Sequence, residues 1–129
     1  MILIIDDSPS DIELTKIALE ATGREISVHS ATDGKSALAM LRKGSWLPYL
    51  VLLDLKMQGM GGLEVLREMR VDHHLKDLPV VVVTSSSLES DRADVISAGA
   101  NGYIQKHLSL ERFSKDLESV LHLWLPHYA

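Results

Sequence analysis

Three short runs of almost wholly apolar residues constrain the fold of this chain more than any other feature. They occupy residues 1–5, 49–53 and 80–83 and contain mainly leucine, isoleucine and valine. Because they are too short for buried helices and do not alternate between apolar and polar residues, they predict strands covered on both faces. Residues 26–30 and 102–105 are weaker strand candidates.

Five stretches with helical spacing of apolar residues separate and follow these runs. They are centred on residues 14–21, 37–41, 63–69, 88–98 and 110–124. Strands that alternate with helices predict a parallel sheet with helices on both faces, an α/β fold. Since no linker, repeat or low-complexity tract interrupts this order, we expect a single domain over residues 1–129 with no output domain.

Several residues predict where the helices begin and end. Gly23 and Gly44 are expected to end the first two helices. Ser86 and Glu89 have the spacing of a capping box and predict the start of the fourth helix, which Gly99 ends. The last helix has one apolar face, formed by Leu110, Phe113, Leu117, Val120, Leu121 and Trp124.

Composition excludes several classes of protein. The absence of cysteine rules out disulfides, thiolate metal sites and a cysteine nucleophile. The net charge of −5 argues against a direct nucleic-acid partner. No apolar run approaches the roughly 20 residues of a membrane span. We therefore expect a cytoplasmic protein without membrane contact.

Polar residues follow four of the five strand candidates. Asp6 and Asp7 follow the first, Asp54 the third, Thr84 the fourth and Lys106 the fifth. The carboxyl ends of parallel strands meet at one edge of a sheet, where sites of this fold class lie. Three carboxylates brought together there repel one another, and either a cation or raised pKa values must offset that repulsion. Oxygen ligands of this kind suit Mg²⁺ or Mn²⁺.

These groups together have the parts for phosphoryl transfer to a carboxylate. Asp54 is the candidate nucleophile, Lys106 and the metal neutralise charge on the phosphoryl oxygens, and the Thr84 hydroxyl donates to one of them. No glycine-rich phosphate loop is found in the sequence. The phosphoryl group is therefore expected to come from a donor rather than from a bound nucleotide.

Each of these residues also has a structural interpretation. Asp6, Asp7 or Ser8 precede Pro9 in a helix-start pattern, so one acid could serve only as a cap. Thr84 is compatible with an ordinary strand end, and Lys106 with an exposed lysine whose stem covers apolar surface. Their joint placement at the strand ends favours the functional interpretation.

The residues at these ends resemble those of CheY-like receiver domains of two-component response regulators, in a match that covers essentially the whole chain. The segments that carry the resemblance are Asp6-Asp7, Leu53-Asp54-Leu55, Thr84-Ser85 and Tyr103-Ile104-Gln105-Lys106. The resemblance implies a flavodoxin-like (βα)5 fold, a doubly wound three-layer sandwich with a five-stranded sheet of order 2-1-3-4-5.

The resemblance also implies a role for each site residue. Asp54 accepts a phosphoryl group from a sensor histidine kinase, with Thr84 and Lys106 as catalytic groups. The protein then acts as a signalling phosphoacceptor that catalyses its own phosphorylation and dephosphorylation. Thr84 and Tyr103 form the switch. The implied ligands of Mg²⁺ or Mn²⁺ are Asp6, Asp7, Asp54 and the main-chain carbonyl of Lys56.

Residues 81–86, Phe113 and the segment 122–125 are similar to those of a subgroup, the cyanobacterial phytochrome response regulators. That similarity implies a phytochrome as the kinase and a homodimer through helix four, strand five and helix five. Signal output then passes to a downstream protein target. Leu123, Trp124 and Leu125 indicate a partner surface, unless Trp124 packs on the sheet and the two leucines are scattered surface residues.

Three departures from the family pattern stand out. His107 follows Lys106 where the family usually has proline, and the glycine-rich segment 57–62 replaces a proline-containing turn, which predicts a less rigid loop. Lys56 places an ammonium beside the site, and we expect it to pair with the phosphoryl oxygens and slow hydrolysis.

The alternative function is a phosphorylation-independent protein-interaction module on the same fold. A flavodoxin-like cofactor binder fits less well.

Overall fold

A computed structural model describes residues 1–44, 47–106 and 109–124 and confirms the alternation of strands and helices. The strands are β1 (Ile2–Ile5), β2 (Val28–Ala31), β3 (Leu50–Leu53), β4 (Val80–Thr84) and β5 (Gly102–Gln105). The helices are α1 (Pro9–Glu20), α2 (Gly34–Lys43), α3 (Gly62–Val71), α4 (Glu89–Ser97) and α5 (Leu110–Trp124). Among the described residues, no helix combines the length and apolar content that a membrane crossing needs.

The five strands form one parallel sheet of order β2-β1-β3-β4-β5, as expected. Ile5, the last residue of β1, lies beside Leu53, the last residue of β3. The backbone N–H of Asp54 then donates to the carbonyl of Ile5 at 2.8 Å. This register brings the acids that follow the two strands to the same point on the sheet edge.

Both faces of the sheet are covered, which explains why the central strands are apolar throughout. Successive residues of β1 alternate between two core clusters. One cluster lies under α2, α3 and α4, and the other lies under α1 and α5. All residues of β1 and β3 are buried as a result.

The apolar face of α5 is largely as predicted. Phe113, Leu117 and Leu121 are fully buried, and Trp124 packs against the same core. Leu110 is 40% exposed because it begins the helix at the edge of that core. Trp124 therefore belongs to the core, as the structural interpretation expected, whereas Leu123 is 71% exposed and remains accessible to a partner. Leu125 and His107 lie outside the described residues.

The predicted capping box at the start of α4 is wrong. The N-cap residue is Leu88, and no side chain caps the helix. The Ser86 hydroxyl instead accepts a hydrogen bond from the Leu88 N–H and donates one to the Asp91 carboxylate. Ser86 therefore stabilises the turn that leads into α4, and the helix begins later than the capping-box spacing implied. Only Val95 of this helix is buried.

Arg70, in the last turn of α3, joins the loops at the opposite edge of the sheet from the acids. Its Nη1 donates to the Leu78 carbonyl at 2.9 Å and its Nε to the Gly99 carbonyl at 3.0 Å. Its Nη2 donates to Asn101 Oδ1 at 3.0 Å, and the same oxygen accepts the N–H of Val80. One planar guanidinium thus connects the chain that enters β4 with the chain that enters β5.

Gly62, the first residue of α3, lets the helix begin directly against the backbone that carries Asp54. A Cβ atom at Gly62 would lie 2.3 Å from the Asp54 carbonyl oxygen and 2.8 Å from the Leu55 Cα. The Gly62 N–H also donates to the Leu55 carbonyl at 3.0 Å. Backbone atoms cannot rotate out of the way, so this position requires glycine.

The Arg70→Lys substitution should lower the free energy of unfolding by about 1–3 kcal/mol, because a single ammonium cannot replace donors that point in three directions. Urea unfolding measures the loss. Arg67→Lys, the same change at an exposed position of the same helix, is the control and should alter stability by less than about 0.5 kcal/mol. Equal losses in the two variants would contradict the role given to Arg70.

The Gly62→Ala substitution should destabilise the fold by about 3 kcal/mol, since the new methyl group meets backbone atoms. Gly61→Ala is the matched control, because its Cβ would meet only the Leu55 carbonyl oxygen at 3.7 Å. The control should lose less than about 1 kcal/mol, a loss expected for alanine at a helix N-cap. Chemical denaturation of both variants compares the two positions, and the same loss at each would show that the close approach is unimportant.

Candidate functional site

Asp6, Asp7 and Asp54 converge at the carboxyl ends of β1 and β3, as the sequence predicted. One carboxylate oxygen from each residue lies within 4.8 Å of the others. Asp6 and Asp54 are buried, and Asp7 is half-buried. The three side chains therefore form a compact set of oxygen ligands at the edge of the sheet.

Backbone N–H groups of the adjoining loops hold each carboxylate in place. The Ser8 N–H donates to Asp6 Oδ1, and the Gln58 N–H donates to Asp7 Oδ2, both at 3.0 Å. The N–H of Lys56 donates to the Asp54 carboxylate.

The cap of α1 is the hydroxyl of Ser8, which accepts the Asp11 N–H at 3.3 Å. The interpretation of Asp6 or Asp7 as the cap is therefore wrong, and both acids are left to face the site.

Lys106 places its ammonium inside the acidic cluster. The Nζ atom lies 2.8 Å from Asp6 Oδ2, 3.0 Å from Asp11 Oδ2 and 3.7 Å from Asp54 Oδ1. The side chain is only 10% exposed, so the interpretation of Lys106 as an exposed surface lysine is wrong. Its backbone N–H donates to the Thr84 carbonyl at 2.7 Å, which fixes the residue at the end of β5 beside β4.

Asp11 is a site residue that the sequence reasoning missed. It lies in the first turn of α1, where an acid is commonly explained by the helix dipole alone. Its contact with Lys106 joins α1 to the end of β5. Its position in the sequence could have indicated this role, because Asp11 lies only a few residues after Asp6 and Asp7, in the helix that follows β1.

The electrostatics of the cluster reflect burial and crowding. Burial raises the pKa of Asp54 to about 6, and the charges of Asp6 and Asp7 act in the same direction. The ammonium of Lys106 and the N–H of Lys56 favour the ionised form and oppose that rise. Burial alone would lower the pKa of Lys106, but its hydrogen bond to Asp6 and the charge of Asp54 outweigh burial and raise it. The ammonium thus stays charged among the acids.

Thr84 ends β4 and is fully buried. Its hydroxyl oxygen lies 3.3 Å from the Ser86 backbone nitrogen, whose N–H it accepts. β4 pairs with β3, so Thr84 ends the strand next to the one that Asp54 follows. The hydroxyl therefore lies at the same edge of the sheet as the acidic cluster, at the start of the loop that leads to α4.

Tyr103 connects β5 to that same loop. Its ring is half-buried and packs against the core under α2, α3 and α4. Its hydroxyl donates to the Ser86 carbonyl at 2.7 Å. The aromatic ring thus has a specific polar partner on the loop that follows Thr84.

Lys56 lies next to the cluster, but its ammonium pairs with an acid of α4. The Nζ atom is 3.3 Å from Asp91 Oδ2, and the Lys56 side chain is 61% exposed. Asp91 also accepts the Ser86 hydroxyl at 2.5 Å. Sequence reasoning missed Asp91, because nothing in its spacing relates it to a residue of the β3–α3 loop.

Comparison with known proteins places this arrangement in a family. The family model of the response regulator receiver domain matches residues 2–118. Chemotaxis protein CheY-3 of Vibrio cholerae is 34% identical over 119 residues, which make up 92% of this chain and 89% of that protein.

Two solved structures resemble the fold over 99% of this chain. The phosphorylated cyanobacterial phytochrome response regulator RcpA has a TM-score of 0.86 and 32% identity, with 95% of its chain covered. The Mn²⁺-bound form of response regulator Rcp1 has a TM-score of 0.83 and 31% identity, with 96% covered. The chain therefore belongs to the response regulator receiver domains, the phosphoacceptor proteins of two-component signalling.

Proposed function

We propose that Asp54 is the residue that accepts the phosphoryl group, with a sensor histidine kinase as the donor. The observation that carries this proposal is the position of its buried carboxylate, within 4.8 Å of Asp6 and Asp7 and 3.7 Å from the ammonium of Lys106. A buried carboxylate is costly, and a cluster of crowded, buried carboxylates with a perturbed pKa is typical of a functional site.

In the forward step, an Asp54 oxygen forms a bond to the phosphorus atom, and the bond from phosphorus to the histidine nitrogen breaks. The electron pair of that bond returns to the imidazole. The Lys106 ammonium, 3.7 Å from Asp54 Oδ1, neutralises charge on an oxygen of the phosphoryl group. The Thr84 hydroxyl is the donor for a second oxygen. Hydrolysis by water regenerates the carboxylate.

The oxygen atoms of the cluster fit Mg²⁺ or Mn²⁺. Asp6, Asp7 and Asp54 supply carboxylate ligands close to one another, and the main-chain carbonyl of Lys56 is the fourth protein ligand in this proposal. When bound, the cation neutralises negative charge on the phosphoryl oxygens. The Mn²⁺-bound form of the similar regulator Rcp1 supports this choice of metal.

Thr84 and Tyr103 form the switch in this proposal. A phosphoryl group on Asp54 attracts the Thr84 hydroxyl and the loop that follows it. That loop carries the Ser86 carbonyl, to which the Tyr103 hydroxyl donates. Movement of the loop therefore breaks or shifts the contact that holds the ring, and the surface formed by α4, β5 and α5 repacks.

That surface is the proposed output face. We assign to it a homodimer contact and the contact with a downstream protein, and we place the protein in the cytoplasm with a phytochrome as its kinase. The similarity to phytochrome response regulators supports the kinase assignment. The exposed side chains of Leu88, Ile96 and Leu123 supply apolar contact area on α4 and α5.

Beryllofluoride, which mimics an aspartyl phosphate, should bind the wild-type protein only when Mg²⁺ is present, and acetyl phosphate should form a phosphoprotein that is labile to alkali and to hydroxylamine. Asp54→Asn should abolish both, because the amide is not a nucleophile. Asp77→Asn, an exposed acid at the opposite edge of the sheet, is the control and should retain both. Mass spectrometry and ¹⁹F NMR are the measurements. Failure of the wild-type protein in both assays would favour the phosphorylation-independent interaction module.

Tyr103→Ala should leave beryllofluoride binding intact but weaken its effect on α4. In the wild-type protein, we expect binding to shift the backbone amide resonances of residues 86–98 in ¹H–¹⁵N NMR spectra. Without the ring and its hydroxyl, the shifts should be confined to the residues around Asp54 and Thr84. Tyr49→Ala, a change of the same kind at an exposed tyrosine before β3, is the control. Shifts of wild-type size in Tyr103→Ala would exclude Tyr103 from the switch.

A further inference from the structure

A chain of polar contacts runs from the loop after Asp54 to the start of α4. The Lys56 ammonium pairs with Asp91 at 3.3 Å. Asp91 accepts the Ser86 hydroxyl at 2.5 Å, and the Ser86 carbonyl accepts the Tyr103 hydroxyl at 2.7 Å. The contacts connect three elements that share no continuous helix or strand: the β3–α3 loop, α4 and β5.

The backbone and the ammonium of Lys56 have different acidic partners. Its backbone N–H donates to the Asp54 carboxylate, so the side chain starts next to that residue. Its ammonium lies at Asp91 instead. The charges that act on the pKa of Asp54 are those of Lys106, Asp6 and Asp7, while Lys56 acts through its N–H. Asp91 thus holds the Lys56 charge at a distance from the acidic cluster.

The partners of this ion pair differ in freedom of movement. Asp91 is only 16% exposed in its side chain and is fixed by the Ser86 hydroxyl. Lys56 is 61% exposed and has four flexible methylene groups. Because solvent reaches the Lys56 ammonium, the pair contributes little free energy, so a stronger anion near the base of the Lys56 stem can take the ammonium from Asp91. A phosphoryl group on Asp54, with a charge of about −1.5 to −2, is such an anion.

We propose that Asp91 is a positioning residue that withholds the Lys56 ammonium from the phosphoryl group on Asp54 and thereby shortens its lifetime. The inference rests on the proposed function of Asp54. In hydrolysis, a water oxygen forms a bond to phosphorus while the bond from phosphorus to the Asp54 oxygen breaks. The electron pair of that bond returns to the carboxylate, and a proton of the water passes to solvent.

A nearby cation changes the rate of this step. In phosphoryl transfer, the attacking water lies in line with the leaving Asp54 oxygen, on the open side of the phosphoryl group. A Lys56 ammonium paired with the phosphoryl oxygens on that side hinders the approach of the water, so it slows hydrolysis. Asp91 competes for that ammonium. The lifetime of the phosphoryl group therefore depends on an acid of α4 that does not touch the phosphoryl group.

The test is a double-mutant cycle on the decay of the phosphoprotein. The protein is charged with acetyl phosphate in Mg²⁺, the donor is removed, and the remaining acyl phosphate is followed with time. Asp91→Asn should lengthen the lifetime about two- to fivefold, the factor that corresponds to one exposed ion pair. Lys56→Met removes the ammonium and should shorten the lifetime. In the Lys56→Met background, Asp91→Asn should have no effect.

Two further variants separate positioning from a general effect on the helix. Asp94→Asn makes the same chemical change at an exposed acid of α4, one turn later, and should leave the lifetime unchanged. Asp91→Glu keeps the charge and should restore a lifetime near that of the wild type. Thermal unfolding of each variant identifies any loss of folded protein before the kinetics are compared.

The outcomes distinguish failure of the proposed function of Asp54 from failure of the role proposed for Asp91. If the wild-type protein forms no acyl phosphate, the proposed function fails and this inference fails with it. If the wild type is phosphorylated but Asp91→Asn decays at the wild-type rate, only the role of Asp91 is overturned. An equal effect of Asp91→Asn with and without the Lys56 ammonium also overturns it, because Asp91 then acts by another route.

Discussion

The Lys106 ammonium, shared among Asp6, Asp11 and Asp54, is the interaction on which the arrangement of the site depends. Buried carboxylates that repel one another oppose folding, and a nearly buried cation offsets that repulsion only where the chain fixes it firmly. Three of the four side chains belong to residues that directly follow β1, β3 and β5, and the fourth lies in the first turn of α1. The apolar strands under the cluster supply the burial free energy that allows the sheet to hold this set of charges together.

Helices α4 and α5 differ in how firmly the core holds them, although both contribute to the proposed output face. α5 buries Phe113, Leu117 and Leu121, whereas α4 buries only Val95. The start of α4 is held mainly by polar contacts of Ser86 and Asp91. An element with little buried apolar area has many states of similar free energy, so small changes in charge can shift its position. The same contacts lead back to the acidic cluster through Lys56.

The sequence predicted the features that depend on local pattern. The apolar runs of β1, β3 and β4 and the spacing of Phe113, Leu117 and Leu121 directly reflect burial, so strands, helices and the convergence of Asp6 and Asp54 followed from them. The contact of Asp11 with Lys106 and the pair of Lys56 with Asp91 depend on which loops meet in space, and no sequence spacing encodes that. The capping box at Ser86 failed because its hydroxyl oxygen accepts the N–H of Leu88, only two residues on, while the hydroxyl donates to Asp91, so the helix begins at Glu89.

Two lysines flank Asp54, and their burial gives them different physical properties. Lys106 is 10% exposed and bonds to Asp6 and Asp11, so moving it requires the whole cluster to change. Lys56 is 61% exposed and, among the described residues, has Asp91 as its carboxylate partner, so solvent weakens the pair and the side chain can exchange partners at low cost. In the proposed function, a fixed charge suits stabilisation of the phosphoryl transfer to Asp54. A movable charge suits adjustment of how long the proposed phosphoryl group survives, because its partner on α4 can change without disturbing the acidic cluster.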